Sequence, residues 1–143
     1  MLTHREFEKL RLSQFVDASE IAQLEDWEFL GREWVGEAIG FTEWLRLQSS
    51  PHLLGSIALD LEALPTKVTE ACLSRIGLPL RRHMTFAQLV SLFGGPLRTL
   101  HFVEDRATHE FRVGAPDAYD LSCTVLADGG LSYLVVTVPQ GGA

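Results

Sequence analysis

The feature that most constrains the fold of this chain is a change in the spacing of its apolar residues after Phe93. Before that point, Phe86, Leu89, Val90 and Phe93 follow the i, i+3, i+4, i+7 spacing of one buried helix face. After it, apolar residues return at every second position, which is the period of a half-buried strand. The change predicts a short helix followed by three or four strands, within residues 99–103, 110–113, 119–125 and 131–138.

The predicted helix carries signals at both ends. Thr85 and Gln88 have the spacing of a capping box, in which each side chain accepts from the backbone N–H of the other residue. Gly94 and Pro96 end the helix, because glycine tolerates the left-handed position after a helix and proline cannot continue the hydrogen bonding. The run at residues 131–138 is apolar on both faces, which predicts a central strand.

A second helix is predicted just upstream. Pro65 suits its first turn, and Gly77 followed by the apolar Leu78 suits a Schellman ending. Its expected buried face consists of Val68, Ala71, Cys72 and Ile76.

The first 62 residues are harder to interpret. Alternating apolar residues at 37–47 and 57–61 predict strands, while residues 5–16 fit either a helix or a strand, with a helix favoured. The predicted fold class is α+β: an antiparallel sheet with two consecutive helices packed on one face, preceded by a smaller β-rich N-terminal part. We expect one domain over residues 1–143, with the N-terminal part at about 1–62 and the helix–helix–strands unit at about 65–138.

Residues 65–138 resemble the SmpA/OmlA (BamE-like) and β-lactamase-inhibitor-like domains. The resemblance rests on Met84-Thr85, Leu89, Leu92-Phe93-Gly94 and Pro96, followed by strands, and His83 stands where those families have glycine. It implies two short helices on a small antiparallel sheet and a function in binding other proteins. It carries over the fold analogy only, since the outer-membrane role of the first family has no support in this sequence.

Charge and composition limit the classes of function. The chain has a net charge of −7, which argues against nonspecific binding to nucleic acid. No apolar run is long enough to span a bilayer, and acids stand near the N-terminus where a signal peptide needs an apolar core, so a cytoplasmic location is expected. Cys72 and Cys123 fall at apolar positions of their patterns, which predicts two buried, reduced thiols.

No catalytic or metal-binding motif occurs in the sequence. P-loop, dinucleotide-binding, nucleophile-elbow, zinc-protease and Cys-x-x-Cys patterns are all missing. His101 and His109 flank a predicted turn, but a metal site needs a third ligand, which the sequence does not supply. We therefore expect no cofactor, no metal and no enzymatic activity.

Residues 27–48 have the most unusual composition, because Trp27, Trp34 and Trp44, the three tryptophans of the chain, fall within 18 residues. The overlapping residues 17–43 carry eight acids and one base. Tryptophan is enriched at binding hot spots, so an acidic surface with tryptophan anchors is one interpretation, and solvated acids around a tryptophan-bearing core is the other. The charged turn at residues 104–106 is either a solvated loop or a contact point. The candidate partner-binding residues are Glu25, Asp26, Trp27, Glu28, Glu33, Trp34, Trp44, Glu104, Asp105 and Arg106.

The function that these residues favour is a cytoplasmic protein-interaction module, with an inhibitor or immunity-type protein as one form, that binds a basic protein partner. Neither nucleic acid nor a membrane is expected as a partner, and the oligomeric state stays open. One alternative is a small-molecule-binding or enzymatic domain with a pocket on a concave sheet lined by Trp34, Trp44 and Tyr133. The other is a structural subunit of a homo-oligomer.

Overall fold

A computed structural model describes residues 1–10, 28–30, 33–38, 40–46 and 53–139. Within these ranges the chain forms three helices and eight strands. The helices are α1 (His4–Glu8), α2 (Thr66–Ile76) and α3 (Phe86–Phe93). The strands are β1 (Glu28–Leu30), β2 (Glu33–Ala38), β3 (Phe41–Arg46), β4 (Leu53–Asp60), β5 (Arg98–Val103), β6 (Arg106–Val113), β7 (Tyr119–Leu126) and β8 (Gly130–Thr137).

All eight strands belong to one sheet, in the order β1-β2-β3-β4-β8-β7-β6-β5, and every neighbouring pair is antiparallel. Strand β8 lies between β4 and β7, so the prediction of a central strand at residues 131–138 is confirmed. Pairing of β4 with β8 joins the N-terminal strands to the C-terminal ones. The smaller, separate β-rich part that the sequence predicted is therefore a part of the main sheet.

The predicted fold class is wrong in its helical layer as well. The molecule is mostly antiparallel sheet, and its three short helices do not form a layer of two consecutive helices on one face. The more extensive helix-to-strand contacts are those of α1 with β4 and of α3 with β6. Helix signals are local in the sequence and predicted the helices themselves, but they carry no information about how much of a sheet two short helices can cover.

One face of the sheet holds the core. Phe111, Leu121, Val136 and Ile57 oppose one another across β6, β7, β8 and β4, and each is at most 2% exposed. Because side chains alternate between faces along a strand, this row sets the face of every neighbouring residue. Leu73 of α2 and Leu89 of α3 belong to the same cluster of buried residues.

The opposite face of β5 to β8, called the open face below, carries Arg98, Glu110, Arg112, Asp120 and Tyr133. Arg98 donates to both carboxylate oxygens of Glu110 at 2.9 Å, and the Arg112 Nε donates to Asp120 at 2.8 Å. Both pairs stand directly opposite each other on neighbouring strands. Tyr133 is 36% exposed. This side of the sheet is polar and cross-linked by charges rather than packed.

Helix α3 begins and ends as predicted. The Thr85 hydroxyl accepts from the Gln88 N–H at 3.2 Å, the Gln88 side chain accepts from the Thr85 N–H at 2.9 Å, and Gly94 has a φ of +81°. The predicted buried face is too broad, because Leu89 is buried whereas Phe86 is 40% exposed.

Helix α2 also ends as predicted: Gly77 has a φ of +89° and the Leu78 N–H donates to the Leu73 oxygen at 2.9 Å. Pro65 is the N-cap rather than a first-turn residue, and Leu73 takes the buried place that was expected for Ala71.

The N-terminal helix, the two cysteines and the lengths of the helices can be compared with the sequence predictions. The helix favoured at residues 5–16 exists at α1, where Thr3 and Glu6 form a capping box, and residues 11–16 lie outside the described ranges. Cys72 and Cys123 are both buried and free, as predicted, and burial raises the pKa of each thiol to about 12. Helices long and apolar enough to cross a membrane do not occur in the described part of the chain.

Candidate functional site

The structure does not bring the predicted partner-binding residues together. Glu25, Asp26 and Trp27 lie outside the described residues. Glu28 belongs to β1, Glu33 and Trp34 to β2, and Trp44 to β3, at one edge of the sheet. Glu104 and Asp105 form the turn before β6, which starts at Arg106, at the other edge. Strands β4, β8 and β7 lie between the two groups, so the groups belong to two separate parts of the sheet.

The strand register does not place Trp34, Trp44 and Tyr133 in rows on one face of the sheet. Trp44 opposes Ser56, which opposes Thr137 on the side of the open face, and Tyr133 is on that side as well. Trp34 pairs with Leu45, the residue after Trp44. Because consecutive positions of a strand belong to opposite faces, Trp34 and Trp44 occupy rows on opposite faces.

A cavity among the described residues lies between the start of α3 and the turns at one end of β5 to β8. It has a volume of about 750 Å³ and is called the histidine cleft below. Its lining residues are His83, Thr85, Phe86, His101, Glu104, Arg106, Ala107, His109, Val125, Leu126, Ala127, Asp128, Gly129 and Gly130.

The segment before α3 is held against the first residues of β8. The His83 N–H donates to the Leu131 oxygen at 2.9 Å, and the Leu131 N–H donates to the Met84 oxygen at 2.8 Å. Gly130 makes this approach possible, because a Cβ on it would lie 2.3 Å from the His83 oxygen, and its φ is +70°. His83 itself has a φ of +71°, a conformation that favours glycine, so this junction holds local backbone strain.

This anchoring places Phe86, the first residue of α3, over the floor of the histidine cleft. Its ring stacks on the His109 ring with centroids 4.1 Å apart and an angle of 21° between the planes. His109 is 7% exposed, and its Nδ1 lies 2.9 Å from the Thr99 Oγ1. Burial, and then the neighbouring His101, lower the pKa of His109. The imidazole is therefore neutral near pH 7, and its Nε2 makes no hydrogen bond to a described residue.

The rim of the histidine cleft is formed by two neighbouring turns. The Ala127 N–H donates to the Asp105 oxygen at 2.8 Å and fixes one turn against the other. The Arg106 side chain is neutralised by Asp105, with donor–acceptor distances of 2.9 and 3.0 Å. Glu104 and Asp128, by contrast, are exposed and form no ion pair with any described residue. The rim thus presents two unpaired carboxylates.

The described part of the chain contains no cluster of three His, Cys, Asp or Glu side chains that could hold a metal, although three histidines line the cleft. Sequence reasoning noted His101, His109 and the turn at residues 104–106. It did not identify His83, Phe86 and Asp128 as residues of one site. His83 and Phe86 are more than forty residues from Asp128 in the sequence, and the fold alone brings them to the same cleft.

Comparisons with known proteins find no matching family model, no similar curated protein and no similar solved structure. The resemblance of residues 65–138 to the SmpA/OmlA and β-lactamase-inhibitor-like domains therefore stays a prediction.

Proposed function

We propose that this chain is a cytoplasmic protein-interaction module, of the inhibitor or immunity type, that binds a basic protein partner through the acidic segment of residues 17–43. The segment has a net charge of −7, equal to the net charge of the whole chain. Strands β1 and β2 belong to it and lie at an edge of the sheet, where a partner has access to a protein surface.

The observation that carries this proposal is the pattern of ion pairs. Four arginines pair with acids outside residues 17–43, namely Arg82 with Glu62, Arg98 with Glu110, Arg106 with Asp105 and Arg112 with Asp120. Four of the seven lysines and arginines of residues 63–143 are thus paired with acids that lie outside residues 17–43. The pairing register places Arg46 of β3 opposite Glu33, and the segment keeps a large acidic surplus even with this base.

Such a surplus favours association more than folding. Exposed ion pairs contribute only about 0–1 kcal/mol each, so a large acidic surface adds little to stability. Long-range attraction instead raises the rate at which a partner of opposite charge arrives, and it weakens as salt shortens the Debye length from about 10 Å at 0.1 M to about 3 Å at 1 M.

The test is the association rate with a basic partner isolated from the source cells. We expect that rate to fall severalfold or more as salt rises, and to fall to a similar degree in a variant with Glu25→Gln, Asp26→Asn, Glu28→Gln and Glu33→Gln. A matched control removes four acids outside both residues 17–43 and the histidine cleft, with Glu8→Gln, Glu70→Gln, Asp117→Asn and Asp120→Asn.

The control separates local from global charge. Asp117→Asn keeps an oxygen that can accept from the His4 N–H, the bond that Asp117 makes at 2.8 Å. If the control variant slows association as much as the acidic-segment variant does, net charge alone is responsible and residues 17–43 are not the binding surface. A rate that does not depend on salt contradicts the proposal as a whole.

A further inference from the structure

The histidine cleft combines three features: unpaired negative charge, an exposed aromatic ring and a buried imidazole. Glu104 and Asp128 supply the charge at the rim, Phe86 supplies the ring, and His109 supplies the imidazole at the floor. We propose that the cleft is a socket for an arginine side chain of a basic protein partner. This inference rests on the proposed function, because it assigns the cleft to the same kind of partner.

The charge of the cleft selects a cation. Arg106 is already neutralised by Asp105, and His83 faces Glu62 with its Nε2 3.5 Å from the carboxylate. His109 is held neutral by its burial. The formal charges that remain unpaired among the lining residues are those of Glu104 and Asp128, and both are negative.

The aromatic wall selects a flat cation. Phe86 stacks on His109 and is still 40% exposed, so part of its ring is open to a group that enters the cleft. A guanidinium group is planar and stacks on aromatic rings, whereas an ammonium group is a compact and strongly hydrated point charge. Arginine therefore suits this wall better than lysine.

The floor supplies the third contact. His109 lines the cleft, and in the tautomer whose Nδ1–H donates to the Thr99 hydroxyl its Nε2 is a lone-pair acceptor. One guanidinium N–H can donate to this Nε2, and the others can donate to the carboxylates of Glu104 and Asp128. Carboxylates accept such bonds more strongly than neutral acceptors do, and the fork of N–H groups on arginine can reach more than one acceptor at once.

A short peptide tests the socket without any natural partner. The intact protein, labelled with ¹⁵N, is titrated with acetyl-Gly-Gly-Arg-Gly-Gly-amide at low ionic strength and followed by NMR. We expect shifts at the amides of residues 83–86, 104–109 and 127–130, and a dissociation constant on the order of 1 mM, as for one anchoring side chain. A peptide with citrulline in place of arginine, which is flat but neutral, should bind at least tenfold more weakly. A peptide with lysine in place of arginine should bind severalfold more weakly.

Three variants locate the contacts. Glu104→Gln combined with Asp128→Asn should weaken the arginine peptide about tenfold, whereas Glu8→Gln combined with Glu70→Gln, which removes the same charge away from the cleft, should change it less than twofold. Phe86→Leu keeps an apolar residue but removes the ring, so it should abolish the preference for arginine over lysine.

Each other outcome overturns the assignment. Shifts outside the cleft, or equal weakening by both double variants, would mean that the peptide binds to net charge alone. Equal affinity for the lysine peptide would show that the cleft does not select a planar cation. Arginine amide that binds at least tenfold more tightly than the peptide would assign the cleft to a small molecule instead of a protein. All of these results leave the salt-dependent association rate of residues 17–43 intact, so a failure of the socket differs from a failure of the proposed function.

Discussion

The two faces of strands β5 to β8 differ in how their residues are held. On the core face, Phe111, Leu121 and Val136 lie in one row, and each is at most 2% exposed. On the open face, Arg112 and Asp120 stand opposite each other in the neighbouring row, with side chains 54% and 45% exposed. Burial of apolar area stabilises a fold by about 25 cal/mol per Å², whereas exposed charge pairs contribute little. The core face therefore sets the stability, and the open face is free to serve other purposes.

Helix α3 does not bury its apolar residues evenly against the core face. Leu89 of α3 is fully buried against it, but Phe86 at the start of the same helix is 40% exposed and borders the histidine cleft. A helix that packed evenly on the sheet would leave no such opening. The cleft exists because residues 83–84 are fixed to β8 by two backbone hydrogen bonds, which set where α3 begins.

The largest expected effect is at Gly130, where the segment before α3 meets the sheet. Gly130→Ala forces an alanine to a φ of +70° and places its Cβ against the His83 oxygen, so we expect a loss of about 2–4 kcal/mol in the free energy of unfolding. Gly94→Ala is the comparison variant: its φ is +81° and its ψ is −172°, a conformation that favours glycine, but nothing lies within 4 Å of the added Cβ, so it should cost about 1–3 kcal/mol through the backbone alone. Urea denaturation measures both. Equal losses would show that backbone conformation alone, and not contact with His83, matters at Gly130.

The next effect compares the two faces directly, with the same residue type on one strand. Val136 is fully buried and opposes Ile57 and Leu121, whereas the half-buried Val135 opposes Ala58 and Ser122. Val136→Ala should cost about 1.5–3 kcal/mol, because it removes two buried methyl groups and leaves a cavity. Val135→Ala should cost less than about 1 kcal/mol. Denaturation curves that rank the two variants in the opposite order would contradict the assignment of the faces.

Local features of this fold could be predicted from the sequence. The capping box of Thr85 and Gln88, the glycine stop at Gly94 and the Schellman ending at Gly77 each depend on residues within one or two turns of helix. The central place of residues 131–138 could also be predicted, because a strand that is apolar on both sides needs cover on both sides.

Features that depend on pairing between residues far apart in the sequence could not be predicted. The hydrogen bonds of β4 with β8 join residues 56–60 to residues 133–137 and merge the two predicted parts into one sheet. Period-two alternation identifies a strand but not its neighbours. The register of β2 on β3 pairs Trp34 with Leu45 and not with Trp44, and the sequence alone does not reveal that register. The histidine cleft is likewise assembled from three turns.

A smaller effect concerns the pH dependence of the buried His109. Its pKa in the folded state lies below the ordinary value because of burial and the neighbouring His101, so the unfolded chain takes up a proton at a higher pH than the folded chain does. The stability that follows from this difference is fully present above the ordinary histidine pKa of about 6.5, and it is lost as the pH falls toward the lower folded pKa. We expect His109→Gln to flatten the decline of the unfolding free energy between about pH 7 and pH 5. Parallel pH profiles of variant and parent would contradict a neutral, buried imidazole.

The smallest effect is expected on the open face, at the pair of Arg112 and Asp120. The Arg112 Nε donates to the Asp120 Oδ1 at 2.8 Å, but both side chains are about half exposed, so water screens the attraction. A double-mutant cycle with Arg112→Ala and Asp120→Ala should give a coupling energy of about 0–1 kcal/mol, which falls further as salt rises. A coupling energy well above that range and insensitive to salt would show that the pair is shielded from water. The face would then be covered in solution, and the contrast between the two faces would no longer hold.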